Sequence, residues 1–97
     1  MISRQDILSK LEELKPFLKK EYGVNRIGLF GSFNQNEASE TSDIDLLVDY
    51  DHYLGWKTIH LGIYLEEVFG RKVDLVSRKA LKKRIKDSIL DQVFYIS

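Results

Sequence analysis

The chain has 97 residues, enough for one hydrophobic core and too few for two, so residues 1–97 are read as a single domain. Apolar residues make up 43% and charged residues 31%, the balance of a soluble globular protein rather than a disordered one. The 15 basic and 15 acidic side chains cancel, which argues against direct nucleic-acid binding, and the absence of cysteine excludes disulfides and thiolate metal sites while permitting a cytoplasmic home.

The N-terminal Met-Ile-Ser-Arg-Gln-Asp has no apolar signal region and no segment reads as a bilayer span, so neither secretion nor membrane insertion is expected. Ser3 with Asp6 reads as a capping box, and Ile7, Leu11, Leu14 and Leu18 follow at helical spacing. Pro16 lacks an N–H and its ring clashes with the carbonyl four residues back, so a kink or break is expected near Lys15. Gly23 is a natural stop. Val24 to Phe30 reads as a strand, with Ile27 and Leu29 on one face and Phe30 on the other. Gly28 and Gly31 allow backbone or a ligand to approach closely. Ser32 to Ala38 is expected to form a short helix whose first N–H groups offer an anion site, followed by a polar loop.

Asp43 to Asp49 reads as a second strand, with Ile44, Leu46 and Val48 opposite Asp43 and Asp45. Tyr50 to Gly55 is expected to be a loop. Trp56 to Phe69 is a helix with a broad apolar stripe of Ile59, Leu61, Ile63, Leu65, Val68 and Phe69, ended by Gly70. Val73 to Val76 is a short strand, Ser77 an N-cap, and Leu81, Ile85 and Ile89 the inner face of a last helix. Val93 to Ile96 reads either as an edge strand or as a docking tail. Helix and strand patterns interleave throughout, which makes the fold class α/β (α+β).

The chemistry concentrates between Gly31 and Val48. Two carboxylates on one face at the start of a strand repel each other and gain no core packing; a divalent cation such as Mg2+ between them would resolve both. Other acids and imidazoles carry less. Asp49 and Asp51 do not fit a calcium loop, since Leu47 stands at a ligand position, and read as solvated loop residues. His52 and His60 have no zinc-like partner spacing. The basic run Lys79, Lys82, Lys83, Arg84 and Lys86 reads as a solvated face of the last helix or a surface for an acidic partner or RNA.

Gly31-Ser32, a ten-residue spacer, Asp43-Ile44-Asp45 and a later Val73-Asp74-Leu75-Val76 together resemble the DNA polymerase β-like nucleotidyltransferase superfamily. The resemblance is strongest to its minimal nucleotidyltransferase (MNT) domains, antitoxins paired with HEPN-domain toxins, and covers about Val24 to Ile96. It implies a nucleotidyltransferase fold with a small mixed β-sheet flanked by helices. Asp43, Asp45 and Asp74 are then the catalytic and metal-binding residues, holding two Mg2+ ions. Gly31 and Ser32 bind the phosphates of ATP. Asp74 would favour deprotonation of an acceptor hydroxyl, which attacks the α-phosphorus as pyrophosphate leaves.

Many family members carry Arg-Gly shortly after Gly-Ser, where this chain has Gln35-Asn36. A neutral amide does not replace a guanidinium on a phosphate, although Lys57, Arg71 or a partner's cation could compensate. The implied activity is transfer of AMP from ATP to a tyrosine of a cognate HEPN toxin, with enzyme and partner forming an oligomer. The alternative is a catalytically weak binding module that neutralises the toxin by complex formation. A small-molecule transferase would need a further substrate-binding domain that 97 residues do not supply.

Overall fold

A computed structural model describes residues 2–35, 37–50, 55–80 and 83–96, and the side chains of all of these except 83–85. Asn36, Asp51, His52, Leu81 and Lys82, and the side chains of Lys83, Arg84 and Ile85, therefore lie outside the described residues.

Helix α1 spans Arg4–Tyr22 and opens on the expected capping box. Asp6 N–H donates to Ser3 Oγ and Ser3 N–H to Asp6 Oδ2, each at 3.0 Å. These bonds to the charged form hold the Asp6 carboxyl below its ordinary value. Gly23 closes the helix at φ 65°, with its N–H turned back to the carbonyls of Leu18 and Lys19.

Of the kink or break expected near Lys15, the break is corrected: α1 continues as one helix through Pro16. A proline inside a helix costs about 3 kcal/mol relative to alanine. Burying Leu11 and Leu18, both fully buried on either side of Pro16, contributes about 1.5–3 kcal/mol each. Pro16 and Glu12, whose carbonyl loses its donor, are both exposed, so water can take the missing bond.

Among the described residues, four strands form one mixed sheet: β1 (Val24–Phe30), β2 (Ile44–Tyr50), β3 (Val73–Ser77) and β4 (Phe94–Tyr95), in the order β3-β2-β1-β4. β1 pairs antiparallel with β2 and β4, whereas β2 and β3 are parallel. A parallel pair needs a crossover, supplied here by α3 (Trp56–Phe69). A one-turn helix α2 (Gly31–Asn34) follows β1, and a 3-10 turn (Arg78–Ala80) precedes α4 (Lys83–Gln92).

One sheet face makes the core. Ile27, Leu29, Ile44, Leu46, Val48 and Val73 pack with Ile7, Leu11 and Leu18 of α1 and Leu61 and Leu65 of α3. Register lines up the opposite face in rows: Asp74, Asp45 and Phe30 in one, then Val76, Leu47, Gly28 and Tyr95 in the next. The C-terminal segment resolves as an edge strand, and Ile96 N–H donates to Ile27 O at 2.9 Å. A β-carbon on Gly28 would lie 2.5 Å from Val93 Cγ2, so this glycine is what lets the segment lie flat on β1.

Other details differ from expectation. β2 begins at Ile44 and includes Tyr50; Asp49 lies within it, as the strand pattern predicts, and faces Arg26 at 3.5 Å rather than standing as a solvated loop acid. Ser77, expected to open the last helix, is the last residue of β3, paired with Val48, and is followed by the 3-10 turn rather than directly by α4. The basic run divides, with Lys79 on the 3-10 turn and Lys86 on α4. On α3, Leu61 and Leu65 are buried while Ile59 and Ile63 are half exposed. Residues two apart on a helix diverge by about 200°, so the broad stripe could not all face one core. Among the described residues no helix is long and apolar enough to cross a membrane.

Candidate active site

The parallel register sets Asp45 of β2 directly beside Asp74 of β3. Paired residues in a sheet point to the same face, here the face opposite the core. Asp43 lies two residues before Asp45, immediately ahead of β2, and shares that side by alternation. Asp43 and Asp45 are half-buried and Asp74 is exposed. Burial first, then the charge of Asp74, then that of Asp43, holds the Asp45 carboxyl above its ordinary value. Two of the sequence-predicted acids, Asp74 and Asp43, thus both act on the third, Asp45. Among the described residues, no three acid or imidazole side chains are drawn together at ion-gripping distance. The acids sit as mutually repelling neighbours, and a hard divalent cation is the group whose charge and oxygen preference such neighbours fit.

The Gly-Ser turn meets this cluster from the other side. Phe30, the last residue of β1, is register partner to Asp45. The next residue, Gly31, has φ 74°, and a β-carbon there would overlap Asp45 Oδ2 and lie 3.0 Å from its Cγ. Glycine is therefore required twice, by the left-handed backbone and by the carboxylate against it. The chain then forms the single turn α2 rather than a helix to Ala38. Its N-cap is Phe30, with no side-chain cap bond, so Ser32 is not the capping residue of this turn. Ser32 O accepts from Glu37 N–H at 2.8 Å, closing the backbone behind the turn. The first N–H groups of such a turn have no intrahelical acceptors and are available to an anion.

Arg71 plays a part that the sequence did not disclose. Its Nη1 donates to the carbonyls of Ser42 at 2.8 Å, Glu40 at 2.9 Å and Ser39 at 3.4 Å. Its guanidinium carbon lies 5.2 Å from the centre of the Phe33 ring. The only sequence signal was an arginine directly after the Gly70 stop and three residues ahead of Asp74. Lys57 is exposed on the first turn of α3.

The nucleotidyltransferase domain model matches residues 11–96, which spans both strands of the acid pair and the Gly-Ser turn. The chain belongs to the nucleotidyltransferase domain family. It is similar to the protein adenylyltransferase MntA of Thermococcus cleftensis, 40% identical over 97 residues that cover 99% of this chain and 98% of the relative. A solved structure provisionally assigned as a minimal nucleotidyltransferase superposes with TM-score 0.80 at 29% identity, covering 96% of this chain and 95% of the other. The fold is also shared with a complex of tri-AMPylated Shewanella oneidensis HEPN toxin and MNT antitoxin. There the TM-score is 0.71 at 21% identity, covering 97% of this chain and 71% of that one.

In this nucleotidyltransferase, then, the predicted residues Gly31, Ser32, Asp43, Asp45 and Asp74 fall on one end of the sheet. His60 does not join them; it is exposed on α3, on the crossover connection.

Proposed function

We propose that this nucleotidyltransferase transfers AMP from ATP to a protein hydroxyl, a tyrosine of a HEPN-domain toxin, and so acts as an antitoxin in the cytoplasm. The observation that carries the reading is the Asp45–Asp74 register pair, with Asp43 adding charge and Gly31 pressed against Asp45. The 40% identity to a protein adenylyltransferase along nearly its whole length supports AMP transfer, and the fold shared with an MNT–HEPN complex supports the partner class.

The residues divide the work. Asp43, Asp45 and Asp74 would hold two Mg2+ ions, which supply Lewis-acid stabilisation of the phosphate charge when bound. Free N–H groups of the Gly31–Asn34 turn and the Ser32 hydroxyl orient the outer phosphates, and Gly31 keeps their approach clear of a side chain. Asp74, the most exposed of the three acids, is open to an incoming acceptor and takes the role of drawing the proton from its hydroxyl. The freed oxygen attacks the α-phosphorus in line, and pyrophosphate departs.

A second reading has one observation in its favour. The family arginine is absent, Gln35 is exposed in its place, and Nη1 of Arg71 is already engaged by carbonyls. A weakened phosphate grip suits an antitoxin that works by complex formation. Incubating the HEPN partner with this chain, ATP and Mg2+ and weighing it by mass spectrometry decides between them. One or more AMP additions are expected; an unmodified partner in a stable complex would favour the binder.

A further inference from the structure

We infer that Arg71 is a positioning residue of the nucleotidyltransferase site, tying the turn that delivers Asp43 to the turn that carries Ser32. The inference rests on reading Asp43, Asp45 and Asp74 as the metal-binding acids. Residues 39–42 form a tight turn, with Ser42 N–H on Ser39 O at 3.1 Å and Ser39 N–H on Ser42 Oγ at 2.9 Å. That turn aims the carbonyls of Ser39, Glu40 and Ser42 at one nitrogen of Arg71. The Ser42 carbonyl belongs to the peptide that joins Ser42 to Asp43, so the bond at 2.8 Å sets the plane from which Asp43 departs.

The same guanidinium lies over the ring of Phe33, which is 2% exposed and adjacent to Ser32 in α2. Arg71 is also covalently close to the third acid. The following residue, Lys72, accepts from Ile44 N–H at 3.0 Å, the bond that starts the β2–β3 ladder and brings Asp45 to Asp74. One side chain thus spans the acid-bearing turn, the Gly-Ser turn and the start of β3. Charge-assisted donors to carbonyls hold more firmly than neutral ones, which suits a loop of this length that must not drift. Without Arg71 the carbonyls of residues 39–42 lose their common donor, and Asp43 is free to swing away from Asp45.

The test is direct Mn2+ binding to the intact chain, read by electron paramagnetic resonance in the presence of a non-hydrolysable ATP analogue. Arg71→Met keeps bulk over Phe33 but removes every donor, and should weaken Mn2+ binding by about 10–100-fold, the usual loss when a partner behind the metal ligands is removed. At saturating Mn2+ its affinity for the analogue should match wild type. Arg71→Lys offers three N–H donors to the same carbonyls and should recover most of the loss. Unchanged Mn2+ binding in Arg71→Met, or a lysine variant as weak as the methionine one, overturns the inference. Normal Mn2+ binding with weakened analogue binding also overturns it, in favour of a direct phosphate contact. If Arg71→Met does not fold, Phe33→Leu removes the ring under the guanidinium while keeping the site apolar. It should weaken Mn2+ binding several-fold, and no change would count against the inference. The Asp43→Asn, Asp45→Asn protein calibrates the assay. If it binds Mn2+ as wild type does, the metal reading itself fails; if it does not and the Arg71 variants are normal, only the role of Arg71 fails.

Discussion

The Asp45 carboxylate occupies the space that a β-carbon on Gly31 would need. The turn that follows β1 and the start of β2 are thereby fitted to each other, and the fit is open to test. Gly31→Ala meets two costs. The left-handed backbone at φ 74° disfavours any β-carbon by about 1–2 kcal/mol, and Asp45 must rotate away. The variant should melt a few degrees below wild type and lose most of the stabilisation that Mg2+ confers. A normal metal response would mean that Asp45 can move without harm and that its place beside Gly31 is incidental to the site.

The raised Asp45 carboxyl predicts a pH dependence of opposite sign to that of a salt-bridged acid. Its folded-state value lies above the ordinary one because burial and the charges of Asp74 and Asp43 disfavour ionisation. The stabilising contribution is therefore complete below the unfolded-state value and is lost as pH rises through the raised one. In the absence of divalent metal, Asp45→Asn should flatten that loss and melt higher than wild type at neutral pH. Adding Mg2+ or Mn2+ should reverse the ranking, because binding to the folded state alone stabilises it. A metal-free Asp45→Asn protein less stable than wild type at neutral pH would show that the carboxylate is held by something other than its neighbours' repulsion.

What the sequence disclosed and what it did not divide along physical lines. Local signals read well: the Ser3–Asp6 box, the left-handed stops at Gly23 and Gly70, and the span of α3 are all governed by residues within a turn of one another. Asp43 and Asp45 were legible as a same-face pair for the same reason. The pairing of Asp45 with Asp74 was not, since it depends on the parallel register of strands some thirty residues apart and reached the sequence reading only through family resemblance. The pairing of Asp49 was not legible either, because its partner, Arg26, is on another strand. Pro16 misled in the opposite direction. A strong local rule yielded to the burial of Leu11 and Leu18, which no local window weighs.

That last balance gives a prediction about the fold alone. Pro16 is exposed within a continuous helix, so Pro16→Ala should restore a backbone bond and better propensity at no packing cost. Proline's restriction of the unfolded chain offsets part of the gain, leaving a net stabilisation of at most about 2 kcal/mol. Denaturant unfolding of the two proteins measures it. A destabilised alanine variant would show that the helix at Pro16 has a bend the core requires.

Ser32 is the second residue of α2 and not its cap, which removes a structural reason for its hydroxyl. Ser32→Ala should leave the melting temperature within error of wild type while weakening binding of an ATP analogue. One hydrogen bond to a charged group is worth about 1.5–3 kcal/mol, a loss that calorimetric titration resolves. Equal affinity in the two proteins would assign the phosphates to backbone N–H groups alone.

The final prediction separates catalyst from stoichiometric inhibitor in cells. An enzyme protects at trace levels because each molecule turns over, whereas a binder must match its target in number. Asp43 is half-buried ahead of β2 and Asp45 half-buried within it, and both lie on the face opposite the core, so their replacement by asparagine removes charge and little packing. The Asp43→Asn, Asp45→Asn protein should therefore fold and still associate with the HEPN partner, yet add no AMP to it. If transfer is the function, co-expression with the toxin should leave cells unprotected at expression levels where wild type restores growth. The toxin recovered from those cells should lack the mass gain seen with wild type. Equal protection by the double variant, with an unmodified toxin in both cultures, would sink the transferase reading and leave complex formation as the mode of neutralisation.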